Sequence, residues 1–186
     1  MKKIGVILAR LQPIHNGHIA LIKKASEEND EVHVFIGSAD KFNERNPIPI
    51  SMRSEMVREA LNEHQLKNVE IRWLDDLTNE TDNSHDWGFY LYSAVVTESR
   101  NPYFTIYYSD GFEIITSWFP AFLLKNNVSL SLLARNSVEE GVSATQVREY
   151  IMNDKFDELK DVVPAGVFER RNGIKQLIEL SKLNRS

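Results

Sequence analysis

The sequence predicts an α/β domain in which a mainly parallel sheet is flanked by helices. Three observations carry that expectation. Ile4-Gly5-Val6-Ile7-Leu8-Ala9 is apolar throughout, the pattern of a strand buried on both faces, as in a parallel sheet. Further short apolar runs alternate with segments of helical periodicity, which implies right-handed strand–helix–strand crossovers. Between the first run and the first helical segment lies a short loop with Pro13, which places helix N-terminal N–H groups at the carboxyl end of a strand.

Ile4–Ala9 is the first expected strand. Gly17–Ser26 follows as a helix, with Ile19, Leu21, Ile22 and Ala25 near helical spacing, and Glu27-Glu28-Asn29-Asp30 forms a polar exit. Glu31–Gly37 reads as the second strand and Ser38–Ile50 as a polar loop containing Pro47 and Pro49. Ser51 is the expected N-cap of a helix reaching about Glu63, whose apolar side carries Met52, Met56, Val57, Ala60 and Leu61. Val69–Leu74 is a third strand, Asp75–Asp86 an acidic loop, Trp87–Ser99 a helix, Tyr103–Tyr108 a fourth strand and Val128–Ala134 a fifth. Ser143 is expected to cap a helix to about Asn153. Pro164 stands where a first helical turn begins, and Gly173–Leu183 forms a last amphipathic helix.

The chain has 186 residues, the size of one domain with a full core, divided into an α/β core over 1–142 and C-terminal helices over 143–186. A formal charge of −5 without a Lys/Arg-rich run disfavours a nucleic-acid partner. The absence of cysteine removes disulfides, thiolate catalysis and cysteine-based zinc sites, and fits a reducing compartment. Met1-Lys2-Lys3 leads into an apolar run too short for a signal peptide or a membrane span, so a cytoplasmic protein with no membrane partner is expected.

Ligands of such sheets bind beyond the carboxyl ends of the strands. The loops Arg10–Gly17, Ser38–Ile50 and Asp75–Asp86 should therefore converge on one site. The first of them ends in His15-Asn16-Gly17-His18. Two imidazoles three residues apart at a helix start add donors beside free N–H groups, and Gly17 lets a phosphate lie directly on the backbone. A zinc site would need further ligands, and His33, His64 and His85 do not stand at ligand spacing. No metal ligands are therefore assigned. The absence of Lys or Ser after Gly17 excludes a P-loop. A second signal is Gly141-Val142-Ser143-Ala144-Thr145-Gln146-Val147-Arg148: hydroxyls at a helix start and a guanidinium one turn on make another anion cradle. By itself this is an ordinary capped helix with a surface arginine. Together with the histidines it suggests two helix N-termini closing on one polyphosphate.

Arg10-Leu11-Gln12-Pro13-Ile14-His15-Asn16-Gly17-His18 after the first strand, with Ser143-x-Thr145-x-x-Arg148 opening a late helix, resembles the HxGH nucleotidyltransferase superfamily. Within it, Ile36-Gly37-Ser38-Ala39, Arg45-Asn46-Pro47 and Arg53 look like the archaeal-type nicotinamide mononucleotide (NMN) adenylyltransferases. They are similar too to the adenylyltransferase domain of bifunctional proteins that carry a Nudix hydrolase. Trp87, Tyr108-Ser109-Asp110, Phe119-Pro120 and Ser143-Ala144-Thr145 fit the same subgroup, and the resemblance spans about Ile4 to Leu183. Two departures stand out: Leu11 where the family usually has Phe after Gly-Arg, with Ala9 for that Gly, and Ile48 for a frequent Phe. No Nudix signature follows Leu183, so the hydrolase activity is not expected.

The resemblance implies a Rossmann-like fold and transfer of AMP from ATP to NMN, with nicotinic acid mononucleotide as another acceptor of the same class. It implies His15, His18, Arg10 and Arg148 as the catalytic set, and Gln12, Gly17, Ile36, Gly37, Ser143 and Thr145 as ATP contacts. Arg45 would meet the NMN phosphate and Trp87 the nicotinamide ring, although a tryptophan at a helix start is as readily a core aromatic. Mg²⁺ would enter with ATP, and a homo-oligomer is expected. Asp75, Asp76 and Asp82 read as solvated loop charges. Two other readings remain: the same chemistry on another phosphorylated acceptor, such as phosphopantetheine, or a cytidylyltransferase; and a nucleotide-sensing regulator without turnover. Intact His15, His18, Arg10 and Arg148 argue against the regulator, because binding alone does not need transition-state donors.

Overall fold

A computed structural model describes residues 2–78, 84–109, 112–134 and 141–183; Asp82 and Asp110 lie outside the described residues. Five strands form one sheet in the order β3-β2-β1-β4-β5: β1 (Ile4–Ala9), β2 (Glu31–Ile36), β3 (Val69–Trp73), β4 (Phe104–Ser109) and β5 (Val128–Leu133). Every neighbouring pair is parallel. The chain walks outward from β1 to β3 and then returns to lay β4 against the free side of β1. This reversal of strand order opens a crevice at the carboxyl ends of β1 and β4.

Side-chain alternation along the strands sorts the core into two layers. From β1, Ile4, Val6 and Leu8 enter one layer and Ile7 the other. The Ile7 layer is covered by α1 (Asn16–Glu28), α2 (Ile50–Glu63) and the C-terminal helices α6 (Ala144–Met152), α7 (Phe156–Val162), α8 (Ala165–Glu169) and α9 (Arg171–Ser181). The opposite layer is covered by α3 (His85–Ser99), α4 (Ile115–Trp118) and α5 (Ala121–Asn126). Among the described residues, no helix is long and apolar enough to cross a membrane.

The structure moves several element ends. α1 begins at Asn16 and runs on to Glu28, because His15 is extended and its carbonyl accepts from the N–H groups of His18 and Ile19. α2 begins at Ile50, and Ser51 is not its cap: the Pro49 carbonyl already accepts from Arg53 N at 3.1 Å. The short helices α4, α5 and α7 carry too few turns for a periodic signal and were not expected from the pattern. Ser143 does cap α6, its Oγ accepting from Gln146 N at 3.2 Å.

Arg53, in the first turn of α2, is wholly buried. Its Nη1 donates to the carbonyls of Arg10 and Gly37, both at 2.8 Å, and its Nη2 donates to Ser38 O at 2.9 Å. One guanidinium thus ties the end of β1 to the end of β2. Burial is the main reason its pKa is lowered to about 10; Asp76 opposes the fall and the positive charge of Arg10 adds a little to it. It remains charged at neutral pH. Arg53→Lys keeps the charge but cannot reach three carbonyls in a fixed fork, and a buried carbonyl left unpaired costs about 1–3 kcal/mol. The expected result is a fall in thermal midpoint of several degrees in a calorimetric scan, with the far-UV spectrum retained.

Candidate active site

The crevice is a cleft of about 610 Å³ whose floor is Leu8 to Gln12 from β1 and its loop, Gly37 and Ser38 after β2, and Tyr107 to Ser109 from β4. Its walls bring together Arg10, Gln12, His15, Gly17, His18, Gly37, Arg45, Trp87, Ser143, Thr145 and Arg148. Of the residues expected from the sequence to contact ligand, Ile36 alone is not on this surface. As the last residue of β2 it points into the Ile7 layer, wholly buried, and its carbonyl accepts from Leu74 N at 3.0 Å. Strand alternation turns the next residue, Gly37, to the cleft instead.

His15 is the N-cap residue of α1 and is buried. Its backbone N–H donates to Nδ1 of His18 at 3.3 Å, and the two rings lie with centroids 3.7 Å apart. An Nδ1 that accepts must be unprotonated, so this bond selects the His18 tautomer with the proton on Nε2. His18 therefore keeps one N–H donor. A Cβ on Gly17 would stand 3.1 Å from the His15 ring and 3.8 Å from Val142 O. Glycine here allows the imidazole to lie over the helix start, and the same contact shows that the N-termini of α1 and α6 are neighbours.

Arg148, one turn into α6, reaches across to the first loop and donates from Nη1 to Gln12 O at 2.7 Å. Its other nitrogen, Nη2, lies 3.4 Å from Thr145 Oγ1, a long contact. Burial lowers the Arg148 pKa and the positive charge of Arg10 adds to the fall, while Glu149 opposes it. Two guanidiniums within each other's field, beside two helix N-termini, are mutually repulsive until an anion lies between them. That arrangement suits a polyphosphate.

Gln12 lines the cleft and also supports it. Its side-chain amide donates to Ile48 O at 3.2 Å and accepts from Ile48 N at 2.9 Å, so it clamps the loop after β2. The frequent family Phe is replaced by Ile48 at this clamp, where the side chain is wholly buried and the main chain makes the contact. Leu11 and Ser38, with φ of 53° and 49°, take the left-handed region on either side of Arg53, whose bonds to Arg10 O and Ser38 O hold both turns. The motif spacing gave no sign of these supports. An arginine in the first turn after a proline-bounded loop was the available signal.

At the other end of the cleft, Trp87 is 7% exposed and packs on Trp118 with ring centroids 5.4 Å apart and 26° between planes. Its Nε1 donates to Thr78 Oγ1 at 2.9 Å. It is both a core aromatic and part of the cleft wall. Arg45 is exposed on the turn closed by Asn43, which accepts from the N–H groups of Arg45 and Asn46. Asp75 and Asp76 also line the cleft; Asp75 is exposed, as a solvated loop charge is, whereas Asp76 is half-buried and accepts from Ser38 Oγ at 2.9 Å, which draws the β3 loop onto the β2 loop.

The cleft's donor set of imidazoles, guanidiniums and hydroxyls suits anions. Among the described residues, the one grouping of three His, Asp or Glu ligand atoms close enough to share an ion is Glu31, His33 and Glu70, none of which lines the cleft. A divalent ion acting in the cleft would fit best when carried by phosphate oxygens, with Asp75 and Asp76 nearby.

Residues 9–150 match the family described as cytidylyltransferase-like. A nicotinamide-nucleotide adenylyltransferase of Methanolobus tindarius is 27% identical over 179 residues, which cover 94% of this chain and 92% of that protein. Another, of Thermococcus kodakarensis, is 30% identical over 165 residues, covering 83% and 85%. A bifunctional NMN adenylyltransferase/ADP ribose pyrophosphatase of Francisella tularensis, complexed with AMP and a Mn ion, shares the fold at a TM-score of 0.68 and 19% identity. The alignment covers 97% of this chain and 52% of the Francisella chain, about half its length. The strand order, the cleft beyond β1 and β4 and these likenesses agree: the chain belongs to the cytidylyltransferase-like family and is a nucleotidyltransferase.

Proposed function

We propose that the protein transfers AMP from ATP to NMN, forming NAD and pyrophosphate. The observation that carries this reading is the meeting of two helix N-termini, α1 and α6, with two imidazoles and two guanidiniums at the switch point of a parallel sheet. The relatives named nicotinamide-nucleotide adenylyltransferase support NMN as the acceptor. In the reaction an oxygen of the NMN phosphate attacks the α-phosphorus of ATP. The bond from that phosphorus to the oxygen bridging to the β-phosphate breaks, and pyrophosphate carries away the electron pair. No covalent enzyme intermediate is needed, so catalysis consists of positioning and of stabilising charge at the in-line transition state.

In this reading Arg10 and Arg148 grip the β and γ groups that depart. His15 and the Nε2–H of His18 face the phosphates, and His18 follows charge as it builds on the α-phosphate. Ser143 and Thr145 supply hydroxyl contacts at the start of α6, Gly17 leaves the α1 backbone open, and Gly37 lies against the adenosine. Gln12 acts through the loop it clamps. A divalent ion, Mg²⁺ in this proposal, supplies charge neutralisation on the triphosphate when it is bound with ATP. Arg45 pairs with the NMN phosphate, and the Trp87 indole meets the cationic pyridinium ring. The proposal includes a homo-oligomer, for which the exposed side chains of Trp73, Phe89 and Phe122 supply apolar surface.

The direct test is product analysis by mass spectrometry with ATP and a panel of phosphorylated acceptors. NAD and pyrophosphate from NMN are expected; product from phosphopantetheine and none from NMN would overturn the reading. His18→Ala is expected to lower kcat on the order of a hundredfold with little change in the Kd for ATP, because its donor matters most as charge develops. A near-normal kcat removes His18 from the chemistry. Arg148→Lys is expected to weaken ATP binding in a calorimetric titration, since a point charge cannot reproduce the fork that spans Gln12 O and a phosphate. Equal affinity would make α6 a structural element only. Trp87→Phe keeps an aromatic in the stack on Trp118 but weakens the attraction to a cation, an effect of roughly 0.5–2 kcal/mol, so KM for NMN should rise several-fold. The KM for ATP should hold, and Arg45→Ala should show the same split through the phosphate. Parallel changes in both KM values would assign Trp87 to packing.

A further inference from the structure

Away from the cleft, toward the amino-terminal ends of the strands, a second group of chemically capable side chains gathers on the α3 side of the sheet. Glu31 and His33 are two residues apart on β2 and so share a face, and the β2–β3 register sets His33 opposite Glu70. Their ligand atoms all lie within 4.8 Å of one another. We propose that Glu31, His33 and Glu70 form a binding site for one first-row divalent transition metal, with Zn²⁺ as its probe.

His33 makes this more than a surface acidic cluster. Its side chain is wholly buried, its Nε2 lies 2.8 Å from Glu31 Oε1, and its Nδ1 has no partner among the described residues. A buried imidazole beside a carboxylate is an ordered nitrogen ligand that needs little conformational entropy to bind. Moving the ring proton from Nε2 to Nδ1 on metallation turns that same Nδ1 from an unpaired acceptor into an unpaired donor, so the number of unpaired buried atoms does not rise. One nitrogen and two carboxylates favour a borderline ion over Mg²⁺, which prefers oxygen alone and holds its waters.

The two glutamates are occupied by partners that give way readily. Lys2, with 72% of its side chain exposed, pairs with Glu31 at 3.0 Å. Its hydrogen bond is the main reason the Glu31 carboxyl is held below the usual carboxylate range, so Glu31 is ionised at neutral pH. Glu70 pairs with Arg72, which also pairs with Glu98 of α3 and keeps that partner when Glu70 turns away. Exposed pairs of this kind are weak, because water screens them. With zinc–ligand bonds of roughly 2.0–2.2 Å the donors stand a little over 3 Å apart, so the close His33–Glu31 pair spreads to admit the ion and the half-exposed Glu70 side chain adjusts to meet it. Water would fill the remaining position. The ion would join β2 to the edge strand β3, so binding should stabilise the fold without nucleotide.

The test uses full-length protein without a histidine tag, stripped of metal and titrated with Zn²⁺ against a chromophoric chelator, with thermal unfolding and Co²⁺ absorption as further readouts. One Zn²⁺ per chain at a micromolar Kd is expected, with a raised thermal midpoint, and Mg²⁺ at equal concentration produces neither. Glu70→Gln, at a half-exposed position where the fold is retained, and His33→Gln should each weaken Zn²⁺ at least tenfold. His18→Ala in the cleft should leave Zn²⁺ affinity unchanged. Absence of Zn²⁺ binding in the wild type overturns the proposal. So does affinity that survives Glu70→Gln, and so does affinity that is lost in His18→Ala, which would place the ion at the cleft histidines.

Discussion

The buried guanidinium of Arg53 is the contact on which the rest of the site depends. Carbonyls at the carboxyl ends of parallel strands have no further strand to pair with, and burying them bare would cost free energy at each one. Arg53 satisfies three of them, from Arg10, Gly37 and Ser38, with a single rigid fork. The same bonds hold Ser38 in its left-handed turn and set the direction in which Arg10 leaves β1. Desolvating the cation is costly, and Asp76 lies close enough to offset part of that cost. The charge therefore serves geometry: it stiffens two loops whose side chains face the ligand.

From that anchor a chain of main-chain contacts runs around the cleft. Gln12 locks the first loop to Ile48 in the second, and Arg148 of α6 caps the Gln12 carbonyl from 136 residues away in sequence. Ser38 joins the second loop to Asp76 in the third. Each loop that carries a ligand-facing group is thus held by a neighbouring loop, so the site is preformed. Preformed donors need no reorganisation as charge develops, which is the condition under which electrostatic catalysis is most effective. The imidazoles and guanidiniums lie at the end where α1 and α6 converge, and the aromatic wall of Trp87 and Trp118, from α3 and α4, lies at the other.

Much of this was legible in the chain itself. Five apolar runs separated by helical periodicities implied the parallel sheet, and all five strands end within a residue of the expected limits at both ends. The histidines and the late Ser-x-Thr-x-x-Arg segment pointed to one shared site, and the fold brings them together in one cleft. Ser51 misled, since a serine two residues after a proline looks like a cap although Pro49 already supplies the first helical acceptor. Asp76 misled in the other direction: acidic loop residues are usually solvated, and only the fold of the β3 loop onto Ser38 half-buries this one at the cleft.

Local sequence determined which segments become strands and helices, which faces are apolar, and which residue types stand at the loop ends, because period and capping act within a few residues of chain. It could not determine what each polar side chain touches. Gln12 and Ile36 sit inside the motif and the strand end that pointed to nucleotide, yet one spends its amide on a loop and the other its side chain on the core. Arg53 lies outside the conspicuous motif and supports all of it. Those outcomes depend on long-range burial, since a buried donor takes whatever acceptor the packed sheet leaves unsatisfied. That acceptor is defined only once β1, β2 and α2 have come together.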